Sequence, residues 1–292
     1  MDTTVATQGD PVQVEQLPSA QEFLAQTDRF RAADAVMTNL VGSIATSVVG
    51  GRSYEREFWW VVRDGAGEVV GCAVRTAPHR LVVSPMSLPA ARALGRAAGD
   101  ADPDLPGCSG PAEVVQAVVA GMEPARTGRT TMTDVVYVLG ELVRPRQVGG
   151  QPRRATDADL ALLVEWHYQF AVDAGLPMHD ARASVVDRLE HGGLWLWEVD
   201  GSPVAMGGHA VPVPTPAGTV GRIGPIYTPA HLRGRGYGSA VTATVVDELL
   251  PRCARVMLFA DAENPASNSI YRAMGFTAVG QVVETQVDVR GR

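Results

Sequence analysis

The sequence predicts an α/β (α+β) fold built as two tandem domains, and three observations point to it. Strand-like and helix-like patterns alternate along the 292 residues, a length that accommodates two domains of ordinary size. Arg144-Pro145-Arg146-Gln147-Val148-Gly149-Gly150-Gln151-Pro152 has linker composition and falls near the middle. After it the same order of elements begins again, as an internal duplication would require. Phe58-Trp59-Trp60-Val61-Val62 followed by Val69-Val70-Gly71-Cys72-Ala73 matches Leu194-Trp195-Leu196-Trp197-Glu198 followed by Val204-Ala205-Met206-Gly207-Gly208, at low identity.

The predicted organisation is a flexible leader over residues 1–18, a first domain over 19–143, a linker over 144–152 and a second domain over 153–292. In the first domain, Gln21 to Ser47 gives two helical patterns. Arg56 to Arg63 and Glu68 to Thr76 read as an antiparallel pair around Asp64-Gly65-Ala66-Gly67. A short strand at Leu81 to Ser84 and a helix at Leu88 to Ala98 follow. The Pro/Gly/Asp-rich stretch Ala101 to Gly110 reads as a loop, Pro111 to Met122 as a helix and Thr131 to Leu142 as a strand. In the second domain, Asp157 to Ala174 is an amphipathic helix capped by Thr156, and His179 to His191 is a second helix. Leu194 to Val199 and Pro203 to Ala210 pair around Asp200-Gly201; Pro203 is tolerable because it opens its strand. Val220 to Thr228 and Arg255 to Ala260 are strand-like, and Ser239 to Leu250 is helix-like.

Composition narrows the function. A formal net charge of −7 disfavours a general nucleic-acid surface or an anionic membrane, so any affinity for phosphates must come from a local patch. Cys72, Cys108 and Cys253 are widely spaced, without CxxC or histidine at ligand spacing, and read as reduced structural thiols with no metal site. No signal-peptide pattern opens the chain and no apolar run approaches membrane-spanning length, so a cytoplasmic protein is expected. The chain contains no lysine, which excludes acetylation of its own lysines.

The local patch is Arg233-Gly234-Arg235-Gly236-Tyr237-Gly238, set between a strand and a helix start that includes Ser239. That arrangement aims backbone N–H groups and the positive end of a helix dipole at one point. Glycines let a phosphate approach the main chain and permit positive φ. Arg233 and Arg235 add guanidinium forks, and no carboxylate follows them before Asp247 to cancel their charge. A Walker A loop is excluded because it needs a lysine. A dinucleotide fingerprint fails because Ser239 or Val241 falls at its third glycine.

What remains, Arg233-x-x-Gly236-x-Gly238, resembles the pyrophosphate loop of the GNAT acetyltransferase superfamily, Arg/Gln-x-x-Gly-x-Gly/Ala, which binds coenzyme A. Asn264-x-x-Ser267-x-x-x-Tyr271, after the next strand, resembles the GNAT segment that lies along the pantetheine arm. Asn264 and Pro265 suit a helix start, and Ser267, Tyr271 and Met274 share a face. The family often uses the Tyr position to protonate the departing thiolate, which assigns that role to Tyr271. Gly224-Pro225 interrupts the preceding strand, and proline cannot donate to a ladder. This resembles the parting of the fourth and fifth GNAT strands, where Ile226, Tyr227 and Thr228 match the backbone that pairs with pantetheine.

The resemblance covers nearly everything beyond the leader and is to tandem-GNAT proteins. It implies two domains, each a mixed, mostly antiparallel twisted sheet flanked by helices. The first is degenerate: Ser84-Pro85-Met86-Ser87-Leu88-Pro89-Ala90-Ala91-Arg92 stands where its loop should be, without the glycines and with two prolines. The implied reaction is direct transfer of an acetyl group from acetyl-CoA to a primary amine of a small molecule, in a ternary complex, by a monomer or homodimer without metal. Candidate bases are Glu165, His167, Asp173, Glu198 and His209, with Glu198 preferred for its place at a strand end. A backbone N–H of Ile226 or Tyr227 would meet the oxyanion. Trp195 or Trp197 would floor the acceptor site, or both would be core. Acyl transfer from another donor such as aminoacyl-tRNA, which needs a basic tract, and a non-catalytic acyl-CoA-binding module are the alternatives.

Overall fold

The computed structural model describes residues 12–123, 126–176 and 180–289. In chain order the first half forms β1 (Gln13–Leu17), α1 (Ala20–Ala33), α2 (Asn39–Val49), β2 (Glu57–Arg63), β3 (Val69–Thr76), β4 (Leu81–Val83), α3 (Leu88–Ala101), β5 (Gly107–Gly110), α4 (Ala112–Gly121) and β6 (Arg126–Leu139). The second half forms β7 (Gln151–Arg154), α5 (Leu160–Asp173), α6 (Ala181–Glu190), β8 (Leu194–Val199), β9 (Ser202–His209), β10 (Val220–Tyr227), α7 (Tyr237–Leu249), β11 (Arg255–Asp261), α8 (Pro265–Ala273) and β12 (Phe276–Val289).

Contacts divide the chain into two compact units that each draw on both halves: residues 1–30, 54–131 and 283–292, and residues 31–53 and 132–282. In the first unit the strand order is β1-β2-β3-β4-β5-β12. All of its pairings are antiparallel except β4–β5. Trp60, Leu81, Leu94, Val118 and Met122 form its core between sheet and helices, joined by Val283 and Val287 from the last strand. Asp102, buried between Arg75 (2.9 Å) and Arg56 (3.2 Å), is paired as a buried carboxylate must be.

In the second unit the order is β12-β6-β11-β10-β9-β8-β7, with β10–β11 parallel and β6–β11, β10–β9, β9–β8 and β8–β7 antiparallel. Asp200 and Gly201 both take positive φ (49° and 74°), which is what a two-residue turn between β8 and β9 requires. One face of this sheet packs on α7 through Ile223, Val246, Leu249 and Leu258. On the other, Val36 meets Val136, Val220 and Met257.

Three segments differ from the sequence expectation. Gln13–Leu17, assigned to the leader, pairs with β2 from Gln13↔Arg63 to Leu17↔Trp59; its polar residues gave no strand pattern, and pairing decides it. Gly107–Gly110, assigned to a loop, is a buried strand with β4 on one side and β12 on the other. Gln151 and Pro152, assigned to the linker, belong to β7 at the sheet edge, where a proline costs no ladder bond. The expected helix over His179–His191 is seen as Ala181–Glu190, capped by Asp180, whose side chain accepts from Ala183 N; His179 lies outside the described residues. Among the described residues, no helix is long and apolar enough to cross a membrane.

Candidate active site

The site begins where β10 and β11 part. Their parallel register runs from Val220↔Arg255 to Ile223↔Leu258 and stops, although β10 continues to Tyr227 and β11 to Asp261. The cause is local. Gly224 and Pro225 stand as a bulge against β9, where Ile223 pairs with His209 and Ile226 with Gly207. Ile226 and Tyr227 thus keep their β9 neighbours while the edge facing β11 is left without a strand partner. The side chain of Ile226 packs toward α7, and that of Tyr227 is buried 6.0 Å from Trp166.

The chain then turns through a short 3₁₀ segment, Ala230–Leu232, into the glycine-rich loop. Gly234 (φ 77°) and Gly236 (φ 86°) adopt the left-handed region that favours glycine, and a Cβ at Gly234 would meet open space. Gly236 is the N-cap of α7. It provides no side-chain cap, and no acidic residue stands in the first turn. The first N–H groups of α7, those of Tyr237, Gly238 and Ser239, are therefore available to an anion. Gly238 lies close under Thr228: a Cβ there would be 3.3 Å from Thr228 Oγ1. A cavity of about 530 Å³ lies over the loop, lined by Gly234–Tyr237 and Ser239 on one side and by 145–149 on the other. Arg235 and Arg146 both line it and both are exposed.

Arg233 departs from the sequence expectation of an uncancelled charge. It forms an ion pair with Asp173 at the end of α5, and its Nε donates to the Thr228 carbonyl at 3.0 Å. The guanidinium braces the loop against Thr228, the residue that follows β10. Residues 145–149, taken from composition as a spacer, are likewise part of the loop's surroundings.

Helix α8 stands after β11. Asn264 caps it, its Oδ1 accepting from Ser267 N at 3.0 Å. Asn268, which the sequence did not single out, is buried and ties helix to strand: its Nδ2 donates to Asp261 O (2.8 Å) and Asn264 O (2.7 Å), and its Oδ1 accepts from Tyr137 (2.9 Å). Its position four residues after a good N-cap is the signal that marks it. Tyr271 packs its ring near Tyr137 (6.2 Å) and Phe276 (5.9 Å), yet its hydroxyl makes no hydrogen bond among the described residues. Burial pushes this phenol up to about 12.

The other acid–base candidates stand elsewhere. Glu198 Oε1 accepts from Arg153 Nε at 2.9 Å, and Arg153 also grips Asp159, so this carboxylate is engaged in an ion-pair network on β7 and β8. Glu165 accepts from Gln169 on the exposed face of α5. Trp197 donates to Gly149 O at 3.0 Å, and the Trp195 ring carries Arg154 at 4.6 Å. His167 is half-buried, and burial lowers its pKa to about 4.

His209 is fully buried, and burial lowers its pKa to about 4. Its Nδ1 faces Ala210 O at 2.8 Å, and its Nε2 faces the guanidinium of Arg252 at 3.0 Å. This fits a neutral ring that donates from Nδ1 and accepts at Nε2. Because the folded value lies below the ordinary 6.5, the unfolded chain binds more protons between the two. Stability is then full above about pH 6.5 and falls as the pH drops toward 4, by about 2–3 kcal/mol at most. His167, lowered to about 4 as well, adds a decline of the same sign, so thermal melts across that window should show both and His209→Gln should remove about half of the loss.

Among the described residues, no group of three or more His, Cys, Asp or Glu is placed to hold a metal ion.

A parted pair of parallel strands, an uncapped glycine helix start and a capped helix bearing a tyrosine thus follow one another between residues 220 and 273. Residues 161–276 match the model of the acetyltransferase (GNAT) family, and the chain carries a GNAT domain there. Its fold is that of tandem GNAT proteins. A tandem GNAT protein from the clavulanic acid biosynthesis pathway superposes with a TM-score of 0.59 at 14% identity, covering 97% of this chain and 99% of that one. A GNAT-family acetyltransferase from Colwellia psychrerythraea gives 0.58 at 12% identity over 94% and 100% of the two chains. A GCN5-related N-acetyltransferase from Sphaerobacter thermophilus gives 0.57 at 16% over 94% and 95%. No curated protein matches the sequence.

Proposed function

We propose that this protein transfers an acetyl group from acetyl-CoA to a primary amine of a small molecule, directly, in a ternary complex. The observation that carries the reading is the end of β10–β11 pairing at Ile223↔Leu258, immediately upstream of a loop with Gly236 at an uncapped helix start. The diphosphate would lie on the N–H groups of Tyr237, Gly238 and Ser239, with Arg235 beside it and Arg233 holding the loop. From there pantetheine would run between the strands, against the backbone of Ile226, Tyr227 and Thr228 on one side and along α8, past Asn264 and Ser267, on the other. The thioester then reaches the closed end of the gap.

The acceptor nitrogen bonds to the thioester carbon, and a backbone N–H of Ile226 or Tyr227 donates to the developing oxyanion. The C–S bond breaks, the thiolate takes the phenolic proton of Tyr271, and the proton that the nitrogen sheds returns through water to the tyrosinate. Glu198, engaged by Arg153, anchors that network in this reading and is not used as the base. The reading assigns catalysis to residues 153–292 and a degenerate copy to 19–143, with α2 and the later part of β6 lent to the catalytic unit; of the linker over 144–152, Gln151 and Pro152 serve as strand β7. The turn before α3 supports the asymmetry: Ser87 caps that helix itself, accepting from Ala90 N at 3.4 Å, and Pro89 occupies its first turn.

A calorimetric titration with acetyl-CoA tests the proposal. Binding should be saturable, and Arg233→Ala should weaken it about tenfold or more through loss of the brace and a charge. A wild-type protein that gives no heat with acetyl-CoA would sink the reading.

A further inference from the structure

Arg222 stands one residue before the closed end of the strand gap, paired with Met257 next to the last pair, Ile223↔Leu258. Side chains alternate along a strand, so Arg222 faces away from the core that holds Ile223 and shares the face of Val220. There it meets α2, within the same compact unit. Its Nε donates to Asn39 Oδ1 and its Nη2 to Ser43 Oγ, both at 3.1 Å, and the Phe259 ring lies 5.8 Å from the guanidinium carbon. These contacts fix the fork and leave Nη1 without a hydrogen bond among the described residues.

Arg75, Arg80 and Arg153 each meet a carboxylate. Arg222 meets none among the described residues; the charged group it feels is a second arginine, Arg188, and burial with that neighbour lowers its pKa to about 10. Its side chain is nevertheless partly open to solvent. A second observation is independent. Asn39 is 1% exposed, and its Nδ2 has no hydrogen-bond partner. The amide sits beside the guanidinium and brings no acid to it, so among the described residues Arg222 carries a charge that no carboxylate answers, next to a buried N–H donor that is also unused. Such a charge is complementary to an oxyanion, and a planar fork suits a carboxylate best.

We infer that the acceptor is an amine that also carries a carboxylate, and that Arg222, oriented by Asn39 and Ser43, binds this carboxylate at the closed end of the gap. The inference rests on the acetyl-transfer reading, because it takes the gap as the path of the thioester. The first half of the sequence, through α2, then takes part in choosing the acceptor.

The test uses the full chain saturated with CoA and dialysed against an equimolar pool of amino acids and their carboxamides, with retained compounds read by mass spectrometry. Carboxylates should be enriched over the matching carboxamides about tenfold or more, the effect of one charge-assisted pair. Arg222→Gln should erase the preference. Asn39→Asp places a carboxylate beside the guanidinium from within the protein, so it should erase the preference too while leaving the melting temperature unchanged or higher, which separates the effect from misfolding. Equal retention of the two classes, retention of neither, or a preference that survives Asn39→Asp would overturn the inference. A parallel acetyl-CoA titration distinguishes this from failure of the transfer reading, since the donor should bind both variants as it binds the wild type.

Discussion

Gly236→Trp is expected to abolish acetyl-CoA binding while leaving the protein folded. Gly236 sits at φ 86°, and a Cβ there would come within 2.9 Å of Val148 Cγ1, the one contact near it. The turn is exposed, so the strain of a left-handed non-glycine residue, about 1–2 kcal/mol, is the main cost to stability. The cost to binding is of another kind. An indole at the N-cap projects into the cavity of about 530 Å³ over the loop and covers the N–H groups at the start of α7. The diphosphate then loses its approach to the main chain. Calorimetry should read a loss of at least about 100-fold, the equivalent of two or more charge-assisted hydrogen bonds, with a melting temperature within a few degrees of wild type. Unchanged affinity in a folded variant would mean that the loop does not bind the donor.

The loop was legible in the sequence because its chemistry is local. Arg233-x-x-Gly236-x-Gly238 between a strand and a helix states its own backbone geometry, and the two positive-φ glycines, Gly234 and Gly236, are where a turn of that kind needs them. Gly224-Pro225 was legible for the same reason, since proline in a strand must interrupt a ladder. Asn264 and Pro265 declared a helix start that α8 has. Partners supplied from far along the chain were not legible. Asp173 answers Arg233 across sixty residues, and Arg153 engages Glu198 across forty-five. Both carboxylates looked free because charge pairing between distant elements leaves no periodicity to read. The same holds for β1 and β5, whose sequences are poor strands and whose pairing partners decide them.

The most consequential of these long-range facts is the exchange between the halves. Strand β6 closes the sheet beside β11 through Asp134–Val138, and Val283–Gln286 of β12 pairs with β5. Helix α2 lies with the second unit, where Asn39 and Ser43 reach Arg222. A repeat in the sequence predicts two copies of a plan, but it carries no information on which copy receives a given strand or helix. That choice is made by packing. Here it brings Asn39 and Ser43, from the half without a glycine loop, to Arg222 beside the end of β10–β11 pairing in the half that has one.

Tyr271→Phe is expected to separate binding from chemistry. The ring packs with Tyr137 and Phe276, and phenylalanine preserves those contacts. The hydroxyl gives up no hydrogen bond among the described residues, so the folded state should lose less than about 1 kcal/mol. Acetyl-CoA should bind with the wild-type affinity. The departing thiolate, however, loses its proton source, and kcat should fall by about 10²- to 10⁴-fold, the range for a positioned general acid. The phenol, pushed up to about 12, holds its proton well beyond the ordinary phenolic range. The proposed reaction uses the protonated form as donor, so wild-type kcat should show no loss from tyrosine ionisation between about pH 6 and 10. A kcat that survives the substitution would return Tyr271 to the core as a packing residue. A wild-type kcat that declines near pH 10 would place the proton on a less buried group.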